Sequence, residues 1–320
     1  MTLNITIFGI GAMGTLFGSR LSRPAHVTLV GHWPEQLRAL RRDGLTIIHP
    51  DGRQSRQQLR ATSQLDRVPP ADVALILVKS HQTERAARQA AQNLKADGLA
   101  ITLQNGLGHL DILAEAVGVH RAALGITAQG ATVVEPGLLR HAGTGPTYLA
   151  GTAFQQDRLL RVASLFNEAG LETSLADNAD SLVWGKLAIN AGINPLTALL
   201  NIPNGALVEN ESLRQVMTAA ASEVARVAAA QGIQLPFADV AGRTAEVSRA
   251  TASNRSSMLQ DISRAAPTEI DAISGAVVRL GQKLGVPTPV NQLLLNLVKA
   301  KEIGALNLGA LEGVALSAAA

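Results

Sequence analysis

The chain reads as an α/β protein: a first domain built on a mostly parallel sheet, followed by an all-helical second domain. Three observations carry that expectation. A short apolar strand, a glycine-rich turn and a helical segment follow one another at the start, and further short apolar runs alternate with helix-like segments up to about residue 178. Beyond Asp177 and Asn178 every segment has helical spacing broken by Gly or Pro. The length of 320 residues fits two domains, and 47% hydrophobic with 17% charged residues is a globular balance able to bury two cores. The boundary is therefore placed between residues 178 and 179, giving domains 1–178 and 179–320.

Asn4 to Phe8 is apolar enough for a buried strand, and Thr15 to Leu21 carries helical spacing. Between them stand Gly9, Ile10, Gly11, Ala12, Met13 and Gly14, a Gly-x-Gly-x-x-Gly turn in the strand–turn–helix setting that its mechanics require. Gly9 makes the tight turn, Gly11 lets backbone approach a pyrophosphate, Gly14 permits close helix packing, and the helix N-terminus offers free N–H groups and a positive dipole end. These six residues are the candidate cofactor contacts of a Rossmann-type dinucleotide-binding domain. His26 to Val30 is the second strand, and a ribose-recognising side chain belongs at its end, where Gly31 and His32 stand and the nearest acid is Glu35.

Asp72 to Val78 is a continuous apolar strand of the kind buried on both faces, ending in Lys79 and Ser80; Leu99 to Leu103 is the next, ending in Gln104, Asn105 and Gly106. Ligands of open parallel sheets bind beyond the carboxyl ends of strands, which makes Lys79, Gln104 and Asn105 candidates, Lys79 and Asn105 for contact with the cofactor. Taken singly, Lys79 also reads as a solvated strand end and Asn105-Gly106 as a turn. Ala123–Thr127, Ala131–Val134, Leu138–Leu139 and Thr147–Leu149, with a Glu135-Pro136-Gly137 turn among them, read as antiparallel strands extending the sheet. A helix over Asp157 to Ala169 and a last strand over Glu172 to Leu175 close the domain.

The helical part is expected over Leu182 to Asn201, Glu211 to Gln231, Phe237 to Thr251, Thr268 to Leu284 and Val290 to Glu302, with the Ala-rich end from Ala315 to Ala320 frayed. In the first of these, Lys186, Asn190 and Asn194 recur at every fourth position and stack one amine and two amides along a stripe. The other faces are apolar, so the stripe either faces water or, if buried, meets a polar ligand that supplies the partners its amides need. Pro195 disfavours α geometry at Asn194 or kinks the helix there. Later, Ser256-Ser257-Met258-Leu259-Gln260-Asp261 precedes Thr268-Glu269-Ile270-Asp271; mechanically these serines read as caps and Glu269 as a first-turn carboxylate complementing a helix dipole.

Composition narrows the function classes. The net charge of +3 is mild, the 28 basic residues are dispersed and aromatics make up 2%, leaving little on which to stack bases; nucleic-acid binding is not expected. There is no cysteine, hence no disulfide or thiolate chemistry, and the 7 histidines show no metal-ligand spacing, so no metal is expected. The sequence opens into a strand without a basic leader and contains no apolar run of the roughly 18 residues a membrane span needs, so neither membrane insertion nor secretion is expected and a cytoplasmic location is.

Taken together, Gly9-x-Gly11-x-x-Gly14, Lys79, Gln104-Asn105-Gly106, Lys186-x-x-x-Asn190-x-x-x-Asn194-Pro195, Asn201-x-Pro203-Asn204-Gly205, Ser256-Ser257-Met258-Leu259-Gln260-Asp261 and Glu269-Ile270-Asp271 resemble the ketopantoate reductase (2-dehydropantoate 2-reductase) family, along essentially the whole chain. The resemblance implies reduction of a small 2-oxo acid, 2-dehydropantoate, with NADP(H) on the way to pantothenate. It implies Lys186 as proton donor, Glu269 and Asn105 as catalytic or substrate hydrogen-bonding groups, Asn190, Asn194 and Ser257 as substrate contacts, and Lys79 as a contact near the cofactor. The family usually places an Arg after the second strand for the 2′-phosphate of NADP; here it is His32, with Arg38, Arg41 and Arg42 in the following helix. The expectation is an NADPH preference smaller than an Arg would give, and one that declines as pH rises through the histidine range.

The chemistry fits the residue types: hydride attack on a ketone leaves an alkoxide, which a positioned ammonium stabilises and protonates, while amides bind oxygens without repelling an anion. Two alternatives stay open, a paralogue that reduces another branched 2-oxo acid and a sensor that binds NADP(H) without catalysis; Lys186 and Glu269 argue against the sensor. The oligomeric state is open, a homodimer included.

Overall fold

The computed structural model describes the backbone of residues 2–317 and side chains through residue 304. The chain forms two compact units: residues 1–104 with 108–179, and Asn105–Leu107 with 180–320.

The first unit opens with β1 (Asn4–Phe8), α1 (Ala12–Leu21), β2 (His26–Val30), α2 (Pro34–Arg42), β3 (Leu45–Ile48), β4 (Gln54–Gln57), β5 (Arg60–Thr62) and β6 (Ala71–Ile76). It continues with α3 (Thr83–Asn93), β7 (Leu94–Thr102), α4 (His109–Val117), β8 (Ala122–Thr127), β9 (Gly130–Glu135), β10 (Leu138–Gly143), β11 (Thr147–Ala150), α5 (Gln156–Glu168) and β12 (Thr173–Leu175). The main sheet has eight strands in the order β12-β11-β8-β7-β6-β1-β2-β5, parallel except that β11 runs antiparallel to β8. Strand alternation sorts its side chains between two cores. Ile5, Ile7, Val73, Leu75, Leu99 and Ile101 face one way, with α1 and α5, where Phe17 meets Phe166 edge-on at 5.6 Å. Phe8, Ala74, Ile76 and Ala100 face the other way, over the buried alanines of α3.

Two expectations about this sheet are corrected: the strand over Ala123–Thr127 is not antiparallel, since β8 joins β7 in parallel register and the reversal comes only between β8 and β11. β8 and β11 extend it, but β9 and β10 do not: they form a hairpin inside a second, four-stranded sheet ordered β4-β3-β10-β9. The reason is β3, whose Leu45 and Ile47 join the α1 core and whose edge takes up β10 in parallel register. Val133 and Leu139 are thereby buried against α1 instead of lengthening the main sheet.

The second unit comprises α6 (Ala179–Leu200), α7 (Ala206–Glu209), α8 (Glu211–Ala230), α9 (Val240–Ala250), α10 (Ser257–Ser263), α11 (Ser274–Leu284) and α12 (Pro289–Ser317). Trp184, Leu187, Ala188 and Ala191 of α6 pack with Val224, Val227, Met258, Leu259, Ile270 and Val277 into one core. Glu223 of α8, 2% exposed, accepts from the Val290 and Asn291 N–H groups at 2.9 and 2.8 Å and so satisfies the first turn of α12. Among the described residues no helix is long and apolar enough to cross a membrane.

Three further expectations are corrected here. α6 continues through Pro195 to Leu200, so Asn194 keeps its helical place in spite of the proline that follows it. α12 continues past Glu302 to Ser317; Ala318–Ala320 of the Ala-rich end lie outside the described residues. The helix expected from Thr268 starts only at Ser274, because the side chain of Thr268 competes for the local backbone: its Oγ1 accepts from Ile270 N at 3.2 Å. Glu269 O instead accepts from both Ala272 and Ile273 N at 3.0 Å, closing a turn. Glu269 is therefore not a first-turn helix carboxylate.

Candidate active site

In the first unit the glycine turn is dictated by backbone proximity. Gly9 has φ +123°, and a Cβ there would lie 2.5 Å from Leu77 O. A Cβ on Gly14 would fall 1.9 Å from Gly9 O, whereas one on Gly11 would meet nothing within 4 Å. Gly11 is thus the open face of the turn. It is also the N-cap of α1, and no side chain caps that helix, so its first N–H groups are directed at whatever occupies the open face. The turn is held from behind: Gln36 Nε2 donates to Ile10 O at 3.2 Å while Gln36 Oε1 accepts from Gly137 N at 2.8 Å. A cradle open only at Gly11 and fronted by uncapped N–H groups fits a dinucleotide pyrophosphate. Ile10, Ala12 and Met13 contribute backbone to it.

The remaining candidates of this unit separate. His32 is exposed just beyond β2, where a ribose phosphate is read. The arginines of α2 are engaged: Arg38 with Glu35 at 3.0 Å, Arg41 with Ala61 O at 3.1 Å, and Arg42 with Asp43 at 2.7 Å. Lys79 follows Leu77 and Val78, which come directly after β6 and lie beneath Gly9. Gln104 is structural: its Nε2 donates to Val78 O at 2.9 Å and Thr83 Oγ1 at 2.8 Å, and its Oε1 accepts from Thr102 Oγ1 at 2.9 Å.

In the second unit, side chains from three distant stretches converge. Asn105 Nδ2 donates to Glu269 Oε2 at 3.4 Å across 164 residues of sequence. Glu269 is 6% exposed, so its carboxylate has been drawn out of water. Lys186 belongs to the same group: burial pulls its amine down from 10.5 to about 8, and the attraction of Glu269 opposes that fall. An ammonium with such a pKa is a competent proton donor near neutral pH. Gly106 ties the Asn105 segment to the Glu269 turn. With φ +92°, its Cα passes so close that a Cβ would lie 2.5 Å from Ala272 O, which also accepts from Leu107 N at 3.0 Å.

Asn190 is half-buried and Asn194 is 7% exposed, one and two turns along α6 from Lys186. Beyond them Thr197 Oγ1 donates to Ser256 Oγ at 2.7 Å, and Ser256 caps α10 by accepting from Leu259 N at 3.1 Å. Ser257, the first residue of α10, is exposed. Gln36 and Glu302, which accepts from the Thr268 N–H at 2.7 Å, support the two sites without a sequence signal, because each acts through a backbone group far away in the chain.

Comparison with known proteins gives concordant results. Residues 5–153 match the family model described as "Ketopantoate reductase PanE/ApbA", and residues 178–302 match "Ketopantoate reductase PanE/ApbA C terminal". A 2-dehydropantoate 2-reductase of Halobacterium salinarum is 38% identical over 300 residues, 93% of this chain and 98% of that protein. Among solved structures, a D-mandelate dehydrogenase with NADH and anilino(oxo)acetate superposes with a TM-score of 0.89 at 28% identity, covering 95% of this chain and 99% of that one. A PanE/ApbA family ketopantoate reductase from Ralstonia eutropha does so with a TM-score of 0.86 at 30% identity, with the same coverage.

Proposed function

The chain belongs to the ketopantoate reductase family, and from that premise we infer its reaction: the NADPH-dependent reduction of 2-dehydropantoate to pantoate, a step toward pantothenate and coenzyme A. It is an oxidoreductase acting on a CH–OH group, with NADP(H) as cofactor. The observation that carries the reading is the grouping of Lys186, Glu269 and Asn105, with the lysine pulled down to about 8.

NADPH supplies the hydride when bound. Gly9, Ile10, Gly11, Ala12, Met13, Gly14 and the start of α1 hold its pyrophosphate, Lys79 contacts it nearby, and His32 meets the 2′-phosphate. Lys186 then protonates the oxygen that becomes the hydroxyl at C2, which is why its amine must be both charged and easily discharged. Asn105, Asn190, Asn194 and Ser257 bind the carboxylate and keto oxygens of the substrate through neutral donors, adding no charge that would repel an anion. Glu269 accepts from the substrate's own hydroxyl at C4 and so favours hydroxylated 2-oxo acids.

A second reading, reduction of another branched or aromatic 2-oxo acid by the same residues, is favoured by the likeness to D-mandelate dehydrogenase. NADPH oxidation measured with 2-dehydropantoate, 3-methyl-2-oxobutanoate and phenylglyoxylate separates the readings. The highest kcat/KM falls on 2-dehydropantoate under the first, and a preference for phenylglyoxylate establishes the second. Turnover of none of them leaves an NADP(H) sensor. A cytoplasmic homodimer completes the proposal; Leu293 and Leu297, one turn apart on α12 and 57% and 44% exposed, supply an apolar strip for the dimer, which light scattering tests.

A further inference from the structure

Glu269 rides on the turn between α10 and α11, and that turn is fastened from outside beside it. The Thr268 N–H, on a residue 6% exposed, donates to Glu302 Oε1 at 2.7 Å; Glu302 is half-buried on α12. Two neighbours on the same stretch of α12 reach other targets. Lys299 pairs with Asp271 at 2.7 Å, but both side chains are about half exposed, and such pairs contribute only about 0–1 kcal/mol. Lys301 donates to Leu199 O, in the last turn of α6, and does not touch the Glu269 turn.

Inside the turn, local bonds fix its shape: Thr268 Oγ1 accepts from Ile270 N, and Glu269 O accepts from Ala272 and Ile273 N. They leave open where the turn sits. Its far end is pinned by Leu107 N donating to Ala272 O, and its near end by Glu302. The bond that positioning must protect is long, since Asn105 Nδ2 stands 3.4 Å from Glu269 Oε2, so a shift of a few tenths of an ångström at the turn breaks it. A charge-assisted bond to a buried N–H is stronger than a neutral one, and leaving that N–H without an acceptor would drive the turn to rearrange.

We propose that Glu302 is a positioning residue for the reaction: by holding the Thr268 N–H it sets the Glu269 carboxylate where it accepts from Asn105 and from the substrate's hydroxyl. This rests on the role given to Glu269 above. It adds a residue that does not itself touch substrate and that lies 33 positions beyond Glu269 in sequence.

The test compares Glu302→Ala, Glu302→Gln and Glu269→Gln, each in the full chain, with 2-dehydropantoate and with 3-methyl-2-oxobutanoate, which lacks the hydroxyl. For Glu302→Ala the expected result is a KM for 2-dehydropantoate raised about tenfold, with kcat less affected and with the other substrate and NADPH affinity within about twofold of wild type. Glu302→Gln keeps an acceptor oxygen and should recover most of the loss. Added to Glu269→Gln, the alanine should cost little more, because both act through one carboxylate. Equal losses on both substrates, no recovery in the glutamine variant, or additive losses in the double variant would each overturn the proposal. Should Glu302→Ala fail to fold, Glu302→Asp withdraws the acceptor by one methylene and takes its place under the same criteria. Hydrogen exchange keeps the outcome separate from the identity of the substrate. Faster exchange at residues 268–273 and 107 in the alanine variant, restored in the glutamine one, is expected; unchanged exchange would refute the positioning even if the reaction proved to be another.

Discussion

The glycine turn of the first unit and the lysine site of the second are built by opposite means. At the turn, function comes from side chains that are missing: Gly9 and Gly14 are required because backbone lies 2.5 and 1.9 Å from where a Cβ would be. At the lysine site it comes from side chains withdrawn from water, where burial lowers the Lys186 amine and the nearby charge of Glu269 opposes that fall. The turn is contiguous in sequence and tolerant of what binds; the lysine site is assembled from distant stretches and tuned to one proton. Damage to the first should therefore appear as lost cofactor affinity, and damage to the second as lost turnover.

Substitutions can sharpen or break that contrast. The largest effect is expected from Lys186→Ala, which should lower kcat by about 10²-fold or more while NADPH binding, followed by fluorescence, stays normal. Near-normal turnover in the folded variant would return Lys186 to a packing role. The next largest comes from pH. Lys186 donates as the ammonium and its amine titrates near 8, so the reductive kcat/KM should be level below that pH and fall about tenfold per unit above it. The reverse oxidation should gain over the same range. A reductive profile flat to pH 10 would mean that Lys186 is not the acid.

On the other side of the comparison, Gly14→Ala should weaken NADPH by about tenfold or more, since the turn must open by more than an ångström to admit the methyl, while kcat at saturating cofactor changes less. A pure kcat loss would blur the division between the two sites. The smallest effect is expected from His32→Ala: a reduction of about two- to fivefold in the NADPH over NADH preference, with the arginines of α2 already bonded elsewhere. No change in that ratio at pH 6 would take the phosphate role away from His32.

The same contrast explains what could be read from sequence. β1 and β2 lie where their apolar patterns place them, and the glycine spacing exposes its own mechanics because a turn is a local object. β4, the stretch Gln54–Gln57, shows no hydrophobic signal since all its residues are polar and mostly exposed, and without the β3–β4 hairpin β9 and β10 have no visible partner but the main sheet. The Lys186 stripe stands out by helical spacing. Glu269, by contrast, reads as a helix start, because Pro-Thr-Glu is good first-turn chemistry and spacing shows neither the Thr268 side chain taking Ile270 N nor the fastening of the turn by Glu302. No periodicity connects those two residues, nor Asn105 with Glu269; there only the family resemblance joins the parts.

Asn105, Gly106 and Leu107 lie in the middle of the first unit's sequence yet belong structurally to the second. The helical unit is consequently not a portable module. A gene cut at the apparent boundary would yield a fragment starting at residue 180 that has Lys186, Asn190, Asn194 and Glu269 but lacks the donor to Glu269 Oε2 and the Leu107 N–H that Ala272 O accepts. Recombination between relatives meets the same constraint. A chimera joined at residue 179 brings its Asn105 loop from one parent and the turn that receives it from the other, and Gly106 leaves that seam no room for a side chain. Exchange of the helical part should succeed when residues 105–107 travel with it, which makes three residues the inheritance unit that a linear map of the two domains would miss.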